Sequence, residues 1–421
     1  MFFAGSPGRR RSVALVVQKF GGTSVGSIDR MRNVARRALR ARAQGHDVVL
    51  IVSAMSGETN RLLGLAHEVT GVPDAREMDV IAATGEQVSA ALVAMAVQAE
   101  GGQARSLLGH QVKILTDDAF TKARIRAIDG SMIRETLAEG KIAVVAGFQG
   151  VDAGGNITTL GRGGSDTSAV AVAAAINADV CEIYTDVDGV YTTDPNICSS
   201  ARKISRISYE EMLELASLGA KVLQIRSVEL AMKYGVAVHV RSSFSDVEGT
   251  WVVAEEKSLE DVVVAGVAYD KNDARVHVMG APDQANVVAD LFGAIADRNI
   301  SVDMIIQTAT TGPERAVTFT VPKSDLTRAR PFIEEVAKRI GATEVRYDED
   351  VVKVSIVGLG MRSHAGVAAK MFRLLANEGI NIQAISTSEI KVSCLIHAKY
   401  TELAVRALHD GFGLANEGGG K

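Results

Sequence analysis

The segment Thr159-Leu160-Gly161-Arg162-Gly163-Gly164-Ser165-Asp166-Thr167-Ser168 runs directly into an apolar stretch at 169–176. Three glycines allow backbone amides to approach an anion, and a helix that starts there points its positive end at the same spot. Arg162 and Asp166 flank the turn with opposite charges, which marks a polar ligand site and not a packing device. A second glycine turn, Lys19-Phe20-Gly21-Gly22-Thr23-Ser24, follows an apolar run at 13–17 and sets a lysine where a strand gives way to a loop. Two strand-to-helix glycine loops with basic residues point to phosphate chemistry.

Composition narrows the partners. At 421 residues with 47% hydrophobic, the chain can bury several cores and has room for roughly three domains. A net charge of -4 from 46 basic and 50 acidic residues leaves no electrostatic footprint for nucleic acid or an anionic membrane. Small molecules or other subunits are the expected partners. Cys181, Cys198 and Cys394 show no C-x-x-C spacing, against a disulfide framework or a zinc site and in favour of a reducing cytoplasm. No apolar run is expected to reach the roughly 18 residues of a membrane span, and 1–12 reads as a loose tail without the order of a signal peptide.

Short apolar runs at 13–17, 48–52, 143–148, 180–184 and 236–240 read as strands, and helical patterns cover 28–42, 80–100, 165–177 and 209–217. This predicts an α/β domain over 13–255 with a mainly parallel sheet. Beyond it the tail repeats itself. Arg275-Val276-His277-Val278-Met279-Gly280 matches Lys353-Val354-Ser355-Ile356-Val357-Gly358, and 289–305 matches 369–385. Each copy, over 262–340 and 350–415, reads as a β-α-β-β-α-β module of the split type. Gly358-Leu359-Gly360-Met361-Arg362-Ser363 imitates a dinucleotide fingerprint, but Ser363 replaces the third glycine and no acidic residue ends a second strand near Ile382, so a shared structural loop is the better reading.

Residue by residue, several readings stay open. Lys19 is a phosphate contact or a surface lysine; its place at the carboxyl end of the first strand favours the former, and since it precedes the glycines this is no Walker A loop. Arg162 can grip a carboxylate or phosphate through two bonds, or make a helix-end ion pair. Asp166 orients charged groups or caps a helix, and Glu86, in Thr84-Gly85-Glu86-Gln87, reads by itself as a helix-start cap. The run Thr185-Asp186-Val187-Asp188-Gly189-Val190-Tyr191-Thr192-Thr193-Asp194-Pro195 is a turn-rich loop, or one that sets a base against Tyr191 and carboxylates near a magnesium-bound nucleotide. Lys221 alone is uninformative.

Six motifs in order resemble aspartate kinase of the amino-acid kinase family: 19–24, Ser53-Ala54-Met55, Gly85-Glu86, 161–166, 186–195 and Gly219-Ala220-Lys221-Val222-Leu223. The duplicated tail resembles that family's paired ACT domains. The resemblance implies the amino-acid kinase fold and transfer of the γ-phosphoryl group of ATP, with Mg2+, to the side-chain carboxylate of L-aspartate, the entry step to lysine, methionine and threonine. It implies Arg162 on the substrate α-carboxylate and Glu86 on its amino group, with Ser53, Thr59, Gly163, Gly164 and Ser165 completing that pocket. Lys19 and Lys221 would neutralise phosphoryl oxygens and Asp166 would orient them. Phe20, Gly21, Gly22, Thr185, Asp186, Tyr191, Thr192, Thr193, Asp194 and Pro195 would line the nucleotide site.

For the tail the resemblance implies pairing between subunits, at least a dimer, and lysine or threonine bound at Ser301, Val302, Asp303 and Gln307 in the first copy and at Asn381, Ile382, Thr387, Ser388 and Glu389 in the second. Asp303 and Glu389 would meet the effector amine. One position departs from the pattern: Asn196 stands where relatives commonly carry a basic residue, so a triphosphate contact is missing or comes from Arg202 or Lys203. The rival readings are a glutamate 5-kinase, acetylglutamate kinase or uridylate kinase, which ordinarily lack the double ACT tail, and a catalytically silent amino-acid sensor, for which Lys19, Asp166 and Lys221 would be superfluous.

Overall fold

The structure, a computed structural model, describes residues 14–219, 222–255, 263–282, 284, 286–298, 300–309 and 314–416. The tail at 1–12 and Lys221 lie outside the described residues. The chain divides into two compact units: 14–190 with 203–216 and 222–255, and 191–202 with 217–219 and the chain from 263 onward.

The first unit comprises β1 (Leu15–Phe20), α1 (Ile28–Ala43), β2 (Asp47–Val52), α2 (Glu58–Val69), α3 (Ala75–Ala99), β3 (Ala104–Leu107), β4 (Ile114–Thr116), β5 (Ile125–Ile128), α4 (Ser131–Ala138), β6 (Ile142–Ala146), β7 (Gln149–Val151), β8 (Ile157–Thr159), α5 (Gly164–Ile176), β9 (Val180–Thr185), β10 (Arg206–Ser208), α6 (Tyr209–Ser217), α7 (Ile225–Tyr234), β11 (Val238–Ser242) and β12 (Thr250–Val253). Its main sheet has the order β10-β12-β11-β9-β1-β2-β6-β3. The six strands from β11 to β3 run parallel, and β12 reverses against β11. Parallel strands covered on both faces read as unbroken apolar runs, and β6 is buried at every residue. A smaller sheet, β5-β4-β7-β8, carries the segment that leads into α5.

One expectation about membranes is corrected. α3, with 25 residues, is long and apolar enough by length and composition to cross a bilayer. Half of its apolar window is buried within the protein, and the buried face, including Ala90, Val93, Ala94 and Val97, joins the core around α1, β2 and β6. Its apolarity is that of a core helix.

The second unit contains β13 (Gly266–Asp270), β14 (Asp273–Pro282), α8 (Asn286–Ala296), β15 (Asp303–Ala309), β16 (Glu314–Pro322), α9 (Lys323–Arg339), β17 (Glu344–Asp348), β18 (Val351–Val357), α10 (Val367–Asn377), β19 (Ala384–Thr387), β20 (Lys391–His397) and α11 (Thr401–Gly411). The first repeat forms a complete sheet, β15-β16-β14-β17, over its own apolar core. The second forms β13-β18-β20-β19. Its fourth strand, β13, lies inside the 262–340 span expected for the first copy, ahead of that copy's own first strand β14, yet pairs antiparallel with β18 of the second through Gly266–Val357 to Asp270–Lys353. The first module is therefore inserted into the sheet of the second.

Candidate functional site

In the first unit the loops that follow β1, β2, β6 and β9 meet at the carboxyl edge of the parallel strands, where open α/β sheets bind ligands. β1 extends to Phe20, so Lys19 belongs to the strand and not to the loop. Its neighbours across the sheet are Ile51 and Ile183. Lys19 is buried, and its Nζ lies 2.5 Å from Asp166 Oδ1 in the first turn of α5. Both side chains are almost closed to solvent, at 11% and 12% exposure, so this is a fixed charge pair and not a surface ion pair.

The glycine turn after β1 is required by close approach. A Cβ on Gly22 would stand 2.8 Å from the Ala54 carbonyl, and Ser56 N–H donates to Gly22 O at 3.2 Å. Ser53 N–H donates to Phe20 O at 3.1 Å, which ties the loop after β2 to the first. The Phe20 ring itself stacks on Tyr184 at 4.6 Å in the core, so only its backbone faces the turn.

Glu86 is not a helix-start cap. α3 begins at Ala75, capped by Asp74, and Glu86 sits in its interior with 3% exposure. Oε1 accepts from Ala54 N–H at 3.0 Å, while Oε2 is buried without a hydrogen-bond partner among the described residues. Burial pushes this carboxyl up to about 7, against the opposing effect of the Ala54 amide. The helix reaches this depth because Gly85 has no side chain: a Cβ there would meet Ala54 Cβ at 2.8 Å. Thr59 lies half-buried in the first turn of α2 in the same region of chain.

The arginine loop is held from below. Asp79 of α3, fully buried, accepts from the amides of Thr121 and Thr159 and from the Thr159 hydroxyl, so it anchors the strand that launches the loop. Gln224 Nε2 donates to Arg162 O at 2.6 Å, and Gly163, at φ +68°, leaves no room for a Cβ, which would stand 2.5 Å from Gln224 Cγ. The Arg162 side chain is exposed. Ser165 is buried against Gly147, whose amide donates to Val52 O at 3.0 Å, so α5 starts beside the β2 edge. Sequence reasoning missed Asp79 and Gln224; neither carries a local signal, since each acts on backbone groups 40 to 80 residues away.

At the end of β9, Thr185 Oγ1 donates to the exposed Asp186 carboxylate at 3.0 Å, and Thr185 O accepts from Ser243 N–H. The remaining expected nucleotide residues, Tyr191, Thr192, Thr193, Asp194 and Pro195, fall in the second unit. There Val267 N–H donates to Thr192 O at 2.7 Å and Tyr269 OH donates to Asp194 Oδ2 at 2.9 Å. Asn196 turns its amide onto Asp194 Oδ1, and in the first unit Lys203 pairs with Asp188 at 3.2 Å.

Of the expected effector positions, Ser301, Gln307, Asn381, Thr387, Ser388 and Glu389 are exposed and Val302 and Ile382 half-buried. Asp303 is already engaged. Lys353, the one polar exception in an otherwise apolar β18 besides Ser355, is 5% exposed and donates to Asp303 Oδ2 at 2.7 Å and meets Asp273 Oδ2 at 2.9 Å. Burial opposes the Lys353 charge, but the two carboxylates outweigh it and raise its proton affinity. A cleft under α1, lined by Gln18, Arg37, Glu182, Tyr184 and Arg241 among others, lies on the sheet face opposite to Lys19, because neighbouring strand residues point to opposite faces.

Comparison with known proteins follows the same division. The amino acid kinase family matches residues 14–242, and the ACT domain matches 276–336 and 354–412. An aspartokinase of Pseudomonas aeruginosa is 54% identical over 404 residues, covering 96% of this chain and 98% of its own. An aspartate kinase of Pseudomonas putida is 55% identical over 403 residues, with 96% and 98% covered. The crystal structure of E. coli aspartokinase III in complex with aspartate and ADP superposes with a TM-score of 0.79 at 26% identity, covering 94% of this chain and 99% of that one. The lysine and aspartate complex of the same enzyme gives 0.76 at 26%, again covering 94% and 99%. The chain therefore belongs to the amino acid kinase family, among its aspartate kinases with carboxyl-terminal ACT domains, and is an ATP-dependent phosphotransferase.

Proposed function

We propose that this enzyme transfers the γ-phosphoryl group of ATP to the β-carboxylate of L-aspartate, giving 4-phospho-L-aspartate and ADP, as the first step toward lysine, methionine and threonine. The observation that carries the proposal is the gathering of Lys19, Asp166 and the half-satisfied Glu86 carboxylate on one sheet edge. The naming of aspartate and ADP in the E. coli complex supports it.

In this reading the aspartate ammonium supplies the missing partner of Glu86 Oε2, and Arg162 takes the α-carboxylate through its planar fork. Ser53, Thr59, Ser165 and the Gly163–Gly164 amides complete the pocket. The β-carboxylate has a reference pKa of about 3.9, so it arrives ionised and no general base is needed. Its oxygen attacks the γ-phosphorus, the bond to the bridging β–γ oxygen breaks, and ADP leaves with that oxygen's electron pair. The protein's task is positive charge and alignment. Lys19, held by Asp166, supplies the first, with Lys221 as the second cation; the Gly21 and Gly22 turn lets the phosphates come close.

In the first unit the nucleotide segment is Thr185–Asp186. Mg2+ fits as a nucleotide-borne ion, with the exposed Asp186 carboxylate as the hard oxygen donor, and its chemistry is charge neutralisation on the phosphates. We assign catalysis to 13–255, feedback control by lysine or threonine to the modules at 262–340 and 350–415, pairing of subunits to those modules, and a cytoplasmic setting to the whole. A hydroxamate assay with ATP, Mg2+ and aspartate, glutamate or acetylglutamate tests the substrate. Turnover with aspartate alone is expected, and a preference for either other acid would overturn the assignment.

A further inference from the structure

Cys198 lies far in sequence from the adjacent pair His409 and Asp410, yet within the second unit their ligand atoms all fall within 4.8 Å of one another. Cys198 and His409 are buried and Asp410 is exposed, so the cluster opens to solvent on one side only. His409, in the last turn of α11, has a fully buried side chain. Its Nε2 is 2.9 Å from Thr192 Oγ1. Its Nδ1 has no hydrogen-bond partner among the described residues and lies 3.7 Å from Asp410 Oδ1.

A buried ring nitrogen with no hydrogen bond is unusual and asks for a reason. The second ring nitrogen supplies part of it. Thr192 Oγ1 accepts the Arg202 N–H at 2.9 Å and retains a lone pair that can accept Nε2–H. With the proton on Nε2, the Nδ1 lone pair is left to ligate within the cluster, the way a second ring N–H bond orients histidines that bind metals.

We propose that Cys198, His409 Nδ1 and Asp410 form a binding site for a borderline-soft divalent cation of the zinc type, with the fourth position left to solvent. The ligand set of one sulfur, one nitrogen and one carboxylate oxygen suits that ion over magnesium or calcium. With bonds of about 2.0–2.3 Å, a tetrahedral zinc holds its ligand atoms roughly 3.4–3.6 Å apart. The Nδ1–Oδ1 separation of 3.7 Å is within a few tenths of that, every other spacing in the cluster is 4.8 Å or less, and the Asp410 side chain, 71% exposed, has room to rotate. Thiolate and carboxylate together balance the two charges of the ion. A bound metal would fasten the Cys198 segment to α11, beside the Arg406 bond to Ile197 O.

The test uses the full-length protein, reduced, stripped with chelator and kept free of nucleotide, titrated with Co2+ and then Zn2+. One Co2+ per chain with a thiolate-to-metal absorption band, displaced by Zn2+, is expected. Cys198→Ala should abolish the band, and Asp410→Asn, an isosteric change at an exposed side chain, should weaken Co2+ binding by about tenfold or more. Absence of the band in wild type, its survival in Cys198→Ala, or unchanged affinity in Asp410→Asn would each overturn the site. If Cys198→Ala loses its native circular dichroism, the Asp410→Asn titration decides. None of these readouts depends on turnover, so they stand apart from the assignment of the reaction.

Discussion

Replacing Glu86 with Gln separates what this carboxylate costs the fold from what it does for the substrate. Its proton affinity is raised from 4.5 to about 7 by burial. A shift of that size is worth about 3 kcal/mol between the two protonation states. Because the folded value is the higher one, this stability is fully present below about pH 4.5 and is lost as pH rises through about 7. At pH 8 the empty wild-type enzyme therefore carries a buried, half-satisfied charge, and Glu86→Gln should be more stable there by up to about 3 kcal/mol, with the difference vanishing near pH 4. The proposed substrate role works in the opposite direction. An ammonium prefers the ionised carboxylate, whose population rises from roughly one in ten at pH 6 to nine in ten at pH 8, so wild-type affinity for aspartate should rise about tenfold across that range. Glu86→Gln should bind aspartate weakly with no such slope. Urea unfolding at pH 5 and pH 8, with aspartate KM measured from pH 6 to 8, checks both halves. A flat wild-type KM profile, or a Gln variant that is no more stable at pH 8, would refute the reasoning.

Other substitutions probe the remaining geometry. Lys19→Ala removes the cation from a buried pair with Asp166 and should lower kcat by on the order of 10²–10³, read by steady-state kinetics; unchanged turnover would remove Lys19 from the mechanism. Asp79→Ala leaves the amides of Thr121 and Thr159 without their acceptor and should destabilise the first unit by about 1–3 kcal/mol in urea, with a fall in aspartate affinity through the loosened arginine loop. Lys353→Met strands two carboxylates, one of them buried, and should cost about 3–5 kcal/mol, while Asp303→Asn, at the half-exposed partner, should cost far less; equal thermal shifts would contradict the ion triad. Gly163→Ala forces a Cβ onto Gln224 at a left-handed turn and should raise the aspartate KM; an unchanged KM would mean the Arg162 loop repositions freely.

How much was legible in the sequence depended on the range of the interaction involved. The parallel sheet was readable because strands buried on both faces leave unbroken apolar runs, and β2 and β6 are such runs. The glycine turns were readable because only glycine leaves room for the Ala54 carbonyl beside Gly22 and for the Gln224 side chain beside Gly163. The repeat was readable because both copies bury the same strand and helix faces. These are local demands, and a chain states them residue by residue.

Tertiary structure decided everything that turns on a distant partner. The sequence left Glu86 as a helix cap; the earlier start of α3 and the side-chain-free Gly85 bury it against Ala54. Asp303 reads as a free effector contact until Lys353 of β18 takes its carboxylate. The repeat does not reveal that β13, inside the span expected for the first module, completes the sheet of the second. Nor does it reveal that the segment around Thr192 and Cys198 lies against β13 and α11. Periodicity encodes which face of an element is apolar, but hydrogen-bond partners and desolvation are set by chain segments tens to hundreds of residues away, and only the folded chain brings them together.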